Sequence, residues 1–376
     1  MANKKINIGI IGLAFGKEFL AIYKEHPYVG EIAICTRNPN TLNAVGDEFE
    51  IPKHLRFTNY DDMVTLELLD AIHIVTPISE HTPQSLKALK AGKHVACTVP
   101  MATTLEDIRA IIDAKLNADK IYMMMETSLY TREYLNVKKM YDSGELGRIQ
   151  YIKGDHMQNM SLDGWGGYWE GFPPFLYGTH VLSPILDLVG TRAKSVRCLG
   201  SGRLSKDKAE NYGCPYAVET ATFRMENSDV VAEAHRCLFE TIRQCRECFD
   251  VYCDKKSFEW EATVDEGHTI FYGIDDYEKY QAPDTGDLLP DEIKKFTLRQ
   301  TIKDPNQPSF IQGAGHGGSH PHLCHEFIMS IVEGREPYVD VFKSANVTAA
   351  GICAHESAMK DGEEIFVPDF LIEYKK

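Results

Sequence analysis

The five residues Gly12-Leu13-Ala14-Phe15-Gly16 follow directly on the apolar run Ile6-Asn7-Ile8-Gly9-Ile10-Ile11 and precede a helical stretch that lasts through Tyr23. Strand, glycine turn and helix in that order suit one chemical task. The tight turn lets backbone N–H groups approach a pyrophosphate, and the helix N-terminus adds partial positive charge. Gly12, Ala14, Phe15 and Gly16 are therefore candidate dinucleotide contacts. The run departs from G-x-G-x-x-G at Ala14 and Lys17, and a purely structural glycine turn is the competing reading. About 24 residues after Gly12, where an NAD site usually places an acid on the ribose 2′-OH, stand Thr36 and Arg37. Arg37 suits a 2′-phosphate or can lie over the adenine, so the expected cofactor is NAD or NADP, with a lean to NADP.

A second concentration of chemistry runs from Gln312 to Glu326, where four histidines and one glutamate lie within eleven residues, His316 to Glu326. Glycines and Ser319 before His320-Pro321 predict a loop feeding a helix, whose first turn can face a polar or anionic ligand. His316 and His320 are taken as substrate contacts. Plain packing and a metal held by His322 and Glu326 at i, i+4 with His316 or His325 are the alternatives.

The elements that must carry these residues come in two kinds. Glu31–Arg37, Asp70–Thr76, His94–Pro100 and Ile121–Glu126 are further short apolar runs separated by helical stretches, which predicts a doubly wound parallel sheet over residues 1–126. Beyond it, Tyr151–His156, Ser195–Gly200, Glu219–Met225, Val230–Cys237 and Phe249–Trp260 read as strands. Arg132–Asp142, Thr179–Val189, His320–Val332 and Ser344–Lys360 read as helices. Two domains, 1–126 for NAD(P) and 127–376 for substrate and oligomerisation, follow from a length of 376 residues.

Composition narrows the partners. A net charge of -15 argues against nucleic acid or an anionic membrane surface. Apolar runs fall short of the roughly 18 residues that span a bilayer, and the N-terminus reads as a first strand, not a leader. The ten cysteines are scattered through apolar segments, which fits a cytoplasmic protein with buried thiols; a disulfide at Cys245/Cys248 is the alternative for that pair.

With Val75-Thr76-Pro77, His81, Lys90-Ala91-Gly92-Lys93-His94-Val95 and Pro100-Met101-Ala102, the sequence resembles the glucose-fructose oxidoreductase/inositol dehydrogenase/rhizopine-catabolism (Gfo/Idh/MocA) family. Gly144–Gly147, the Tyr-Gly-Thr-His run ending at His180, Glu333–Pro337 and Ala345 to Gly362 extend the resemblance over nearly the whole chain. It implies a Rossmann domain followed by an α/β domain with a large, mostly antiparallel sheet, assembly as a homodimer or homotetramer, and hydride transfer to or from a ring alcohol of a sugar or cyclitol. It also implies that Thr76, Pro77, His81, Thr98, Val99 and Pro100 lie against the cofactor, and that no metal is required.

Two departures stand out. The family's Glu-Lys-Pro motif, whose lysine bonds the reacting hydroxyl, corresponds here to Thr98-Val99-Pro100, and its Asp-x-x-x-His pair would fall on Leu176 and His180. Only His180 remains. Removing hydride from a secondary alcohol requires a base within about 3 Å of the hydroxyl, a task suited to histidine near neutral pH. His180 is the expected acid/base, with Tyr177 one helical turn earlier as its aid.

Further substrate contacts are expected at Tyr130 and Arg132, just past the fifth strand, at His156 on a strand end, and at Trp165 in the aromatic, glycine-rich run Trp165–Pro174. Arg236 and Arg243 either meet an anionic group or serve core and surface. The leading expectation is an NAD(P)-dependent oxidoreductase acting on a sugar, sugar derivative or cyclitol. A redox-assisted glycosidase, which oxidises, eliminates, hydrates and re-reduces, is the second; a cofactor-binding protein without catalysis is the third.

Overall fold

A computed structural model describes residues 5–162, 164–243, 246–263, 265–298 and 315–374. They form two compact units, Met1–Arg132 with Asp284–Ser344, and Glu133–Pro283 with Ala345–Lys376.

The first unit opens with β1 (Ile6–Ile11), α1 (Leu13–Glu25), β2 (Val29–Cys35), α2 (Pro39–Glu48), β3 (Arg56–Phe57), α3 (Tyr60–Val64), β4 (Ala71–Ile74), α4 (His81–Lys90), β5 (His94–Cys97), α5 (Leu105–Ala118) and β6 (Tyr122–Met124). The strands are parallel in the order β3-β2-β1-β4-β5-β6. Chains that reverse direction of growth at β1 and β4 leave a crevice beyond the carboxyl ends of those strands, where ligands of such sheets bind. The Ile-, Val- and Ala-rich strands are buried on both faces, as their lack of alternation predicts. Helix starts follow local chemistry: the Asn38 side chain accepts from the N–H groups of Asn40 and Thr41, and Thr104 from that of Asp107.

The second unit contains α6 (Arg132–Asp142), β7 (Ile149–Met157), α7 (Thr179–Val189), β8 (Ala193–Arg203), α8 (Lys206–Tyr212), β9 (Tyr216–Met225), β10 (Val231–Cys237), β11 (Arg246–Cys253), β12 (Ser257–Glu259), β13 (His268–Phe271) and β14 (Tyr277–Tyr280). The chain goes on through α9 (Gly315–Glu333) and α10 (Val341–Met359) to β15 (Ile365–Phe366) and α11 (Phe370–Tyr374). Among the described residues the second sheet runs β14-β13-β12-β11-β7-β10-β9-β8-β15, with β7 and β10 parallel and the other neighbours antiparallel. Alternation on β7 buries Ile152, Gly154 and His156 and leaves Tyr151, Lys153 and Asp155 half-buried. α7 packs against β7, β10 and β11.

Two expectations change. The strand expected over Phe249–Trp260 is a hairpin, β11 and β12, because the chain turns at Asp254 and Lys255 and closes with Cys253 N–H on Lys256 O at 3.2 Å. The segment 284–344, expected with the second domain, clusters with the first unit. The reason is aromatic packing of α9 on α1: the His320 ring stands 5.5 Å from Phe15 and 4.8 Å from Phe19. Cys245 of the Cys245/Cys248 pair, and Gln312 to Ala314, lie outside the described residues. Among the described residues no helix is long and apolar enough to cross a membrane.

Candidate active site

In the first unit the chain bends sharply after β1. Gly12 has φ +93°, and a Cβ there would stand 2.1 Å from the carbonyl oxygen of Val75, so only glycine lets the turn pass beside the end of β4. Gly12 N–H donates to Cys35 O at 3.0 Å and Gly16 N–H to Gly12 O at 3.1 Å, which starts α1 with Leu13, Ala14 and Phe15 in its first turn. Among the described residues no side chain caps this helix end and no acid stands in its first turn. Its amides and dipole suit an anionic group, and a dinucleotide pyrophosphate fits this cradle. At the end of β2, Thr36 is half-buried and Arg37 exposed.

The ends of β4 and β5 are tied together by His81. Its Nδ1 lies 2.7 Å from Pro100 O and its Nε2 2.9 Å from Thr76 O and 3.3 Å from the Thr98 hydroxyl. Burial opposes its charge, but Cys97 and the two carbonyl oxygens hold the imidazole up to about 8. The Thr76 hydroxyl donates to Gln84 Oε1 at 2.8 Å, Pro77 opens the turn that leads to His81, and Val99 is buried beside Pro100.

The histidine-rich segment is built into the same unit. His316, Gly317 and Gly318 are left-handed at φ 45°, 61° and 83°, and regular helix follows. Arg132 holds this turn, donating to Gly317 O at 3.3 Å and Thr297 O at 2.7 Å. His320 Nε2 lies 2.9 Å from His316 Nδ1, and burial, then His316 and His73, press His320 well below its usual value. His26 Nε2 meets His325 Nδ1 at 3.1 Å. His322 meets the Thr285 hydroxyl at 2.9 Å, whereas Glu326 is engaged by Arg335 at 2.7 and 2.8 Å, so these two side chains serve different partners. The Tyr130 ring meets Tyr338 edge-on at 6.5 Å.

In the second unit one line of side chains crosses four strands. Glu219 on β9 is opposite Arg236 on β10, Arg236 is opposite His156 on β7, and His156 is opposite Glu247 on β11. Opposed residues share a face of the sheet. Arg236 is fully buried and donates to Tyr177 O, His156 O, Cys237 O and Gln158 Oε1 at 2.7, 3.0, 2.7 and 2.6 Å. Burial lowers its guanidinium only to about 10, so it stays charged at neutral pH. Glu219 accepts from Phe175 N–H at 2.7 Å and faces His355 Nδ1 at 2.7 Å.

The far end of the line meets the start of α7. Glu247 Oε2 is 3.8 Å from His156 Nε2, and its Oε1 is 3.9 Å from His180 Nδ1. His180 Nε2 is 3.3 Å from the Tyr177 hydroxyl. Trp169 packs edge-on against Tyr177 at 4.9 Å, and Trp165 reaches Trp169 at 6.3 Å. Burying such a set of polar groups is costly unless they are mutually satisfied, and a core needs none of them.

Residues 6–126 match the Gfo/Idh/MocA model, described as an oxidoreductase family with an NAD-binding Rossmann fold. Over this stretch, about a third of its length, the chain is similar to the Gfo/Idh/MocA oxidoreductases. The chain is 20% identical to a "glycosyl hydrolase family 109 protein" of Saccharopolyspora erythraea, over 98% of the chain and 84% of that protein. Its fold is similar to that of an oxidoreductase from Agrobacterium radiobacter in complex with NAD+, L-tartaric acid and magnesium, with TM-score 0.79, 17% identity and coverage of 97% and 99% of the two chains. Similar too is myo-inositol 2-dehydrogenase from Lactobacillus plantarum, with TM-score 0.72, 18% identity and coverage of 97% and 100%.

Of the expected site residues, Gly12, Phe15, Gly16, His316 and His320 fall around the start of α1, while Tyr177, His180 and His156 fall together in the second unit. Arg132 props the turn at Gly317, and Trp165 touches Tyr177 only by way of Trp169. Sequence reading missed Glu247. Nothing local marks it, because its partners lie far away in the chain and strand register sets it beside His156.

Proposed function

We propose that this protein is an NAD(P)-dependent enzyme that oxidises or reduces a ring alcohol of a sugar, sugar derivative or cyclitol, with His180 as acid/base and Tyr177 as its hydrogen-bonding aid. The observation that carries the reading is the constellation of buried His180 and His156 with half-buried Tyr177 and Glu247, in a chain whose other unit has the dinucleotide cradle at Gly12. A bound nicotinamide supplies the hydride acceptor or donor. The protein's own task is the proton of the hydroxyl, which a histidine near its neutral form takes up or returns. The half-buried Trp165, backed at 6.3 Å by the buried Trp169, offers an aromatic ring of the kind that stacks on the C–H side of a sugar ring. The exposed Arg37, where an acid would mark NAD, supports a preference for NADP.

A second reading, the redox-assisted glycosidase, is favoured by His156 beside His180 and by the glycosyl hydrolase name of the similar protein from Saccharopolyspora erythraea. Elimination of an aglycone needs a further base for the C–H next to the ketone and an acid for the leaving oxygen, and a second histidine is suited to one of these.

Cofactor balance separates them. The purified protein is incubated with NAD+ or NADP+ and a panel of free sugars, cyclitols and aryl glycosides, and reduced cofactor and released aglycone are both measured. Reduced cofactor in step with product supports the dehydrogenase; aglycone without net reduced cofactor supports the glycosidase. Cofactor binding with neither product overturns both.

A further inference from the structure

His180 lacks the acid one helical turn before it, since Leu176 stands there, yet a carboxylate does face its Nδ1. That carboxylate is Glu247 of β11, 67 residues further along the chain. Glu247 is held at this height of the sheet by its register opposite His156, and Arg236, on the far side of His156, adds fixed positive charge nearby. At 3.9 Å, beyond hydrogen-bonding distance, the carboxylate acts on the imidazole through its charge. It orients the ring: with Nδ1–H toward a carboxylate, the lone pair of the neutral imidazole lies on Nε2, and Nε2 faces the Tyr177 hydroxyl at 3.3 Å.

We propose that Tyr177, His180 and Glu247 form a proton relay in which Tyr177 meets the substrate hydroxyl and Glu247 is the positioning residue that fixes the tautomer of His180. The proposal rests on the ring-alcohol reading above and goes beyond it by naming the group that replaces the missing acid. In the oxidising direction the substrate O–H bond breaks and its proton passes to the Tyr177 oxygen, while the proton of Tyr177 passes to His180 Nε2. The C–H bond of the same carbon would break with its electron pair as a C=O bond forms, and a bound oxidised nicotinamide would supply the hydride acceptor. His180 ends as imidazolium with Nδ1–H toward Glu247, which stays ionised throughout. The logic is that of any hydroxyl, histidine and carboxylate set: the acid holds tautomer and orientation and stabilises the cation that forms. Arg236 binds the carbonyl oxygens of Tyr177, one member of the relay, and of His156, the residue opposite Glu247 in the sheet.

The test uses the full-length protein with ¹⁵N-labelled histidine, in wild type, Glu247→Gln and Glu247→Asp. The relay predicts that His180 is the Nδ1–H tautomer in wild type at neutral pH and loses that preference in Glu247→Gln. It further predicts that kcat falls about 100-fold in Glu247→Gln with KM little changed, and that Glu247→Asp recovers part of kcat. An Nε2–H tautomer in the wild type, or a tautomer and kcat that Glu247→Gln leaves unaltered, overturns the proposal. So does a stoichiometric metal ion that is lost in Glu247→Gln, because a cation would then hold Nδ1. If the wild type turns over no sugar, cyclitol or glycoside, the ring-alcohol reading fails, and the tautomer spectrum still decides whether Glu247 positions His180.

Discussion

His81 Nδ1 lies 2.7 Å from the carbonyl oxygen of Pro100 while its Nε2 lies 2.9 Å from that of Thr76. Carbonyl oxygens only accept, so the pair of contacts is complete when both ring nitrogens carry hydrogen. This fits a folded value of about 8, above the usual 6.5. Stability from this group is fully present below about pH 6.5 and is lost as pH rises through 8, a difference of ~2 kcal/mol. Chemical denaturation at about pH 6 and about pH 9 should show that loss in wild type and its absence in His81→Asn.

The buried histidines of the first unit act with the opposite sign. Burial holds His73 at about 3, burial and His325 hold His26 at about 3, and burial with His325 holds His322 at about 4. The unfolded chain therefore takes up protons below pH 6.5 that the folded chain refuses. Stability is full above about pH 6.5 and falls on acidification toward these folded values, by ~1.4 kcal/mol per pH unit for each histidine. Replacing His73 by Asn should flatten the acid limb of a stability profile by about one such increment. An unchanged slope would show that His73 does not stay neutral.

Gly12→Ala should abolish cofactor binding. The new Cβ meets Val75 O and the residue must hold φ +93°, a strain of about 1–3 kcal/mol before the clash is relieved. Calorimetric titration with NAD+ and a melting curve read the two effects separately; binding within a factor of about two of wild type would remove the turn from the cofactor site.

Removing the acid/base should leave the cofactor in place. His180→Asn is expected to lower kcat about 10²- to 10⁴-fold with cofactor affinity unaltered, and Tyr177→Phe to lower it as well. Full turnover by His180→Asn on the true substrate would exclude His180 from the chemistry.

Arg37→Ala should weaken NADP+ about tenfold or more and leave NAD+ unchanged, since a lost charge-assisted bond to a 2′-phosphate is worth roughly 1.5–3 kcal/mol. Paired affinity measurements on wild type and variant decide it. A strong wild-type preference for NAD+ would defeat the assignment of Arg37 to a phosphate.

The nucleotide half was legible in the sequence because its signals are local. A strand buried on both faces is a short run of Ile, Val and Ala, and a turn that grazes β4 demands glycine at position 12; both are written in adjacent residues. The existence of a second sheet was legible for the same reason, from alternation such as that of β7. What the histidines do was not. His316 and His320 read as substrate contacts, and no adjacent residue tells that both rings stand near Phe15 of α1, with His320 also near Phe19; the division of the chain moved with that packing. Glu247 was invisible because a carboxylate finds its histidine through the register of β11 on β7, and register is a property of paired strands that no single stretch of chain contains. The sequence by itself determined which elements form and that a nicotinamide site is among them; only the tertiary structure decided which acid stands beside His180.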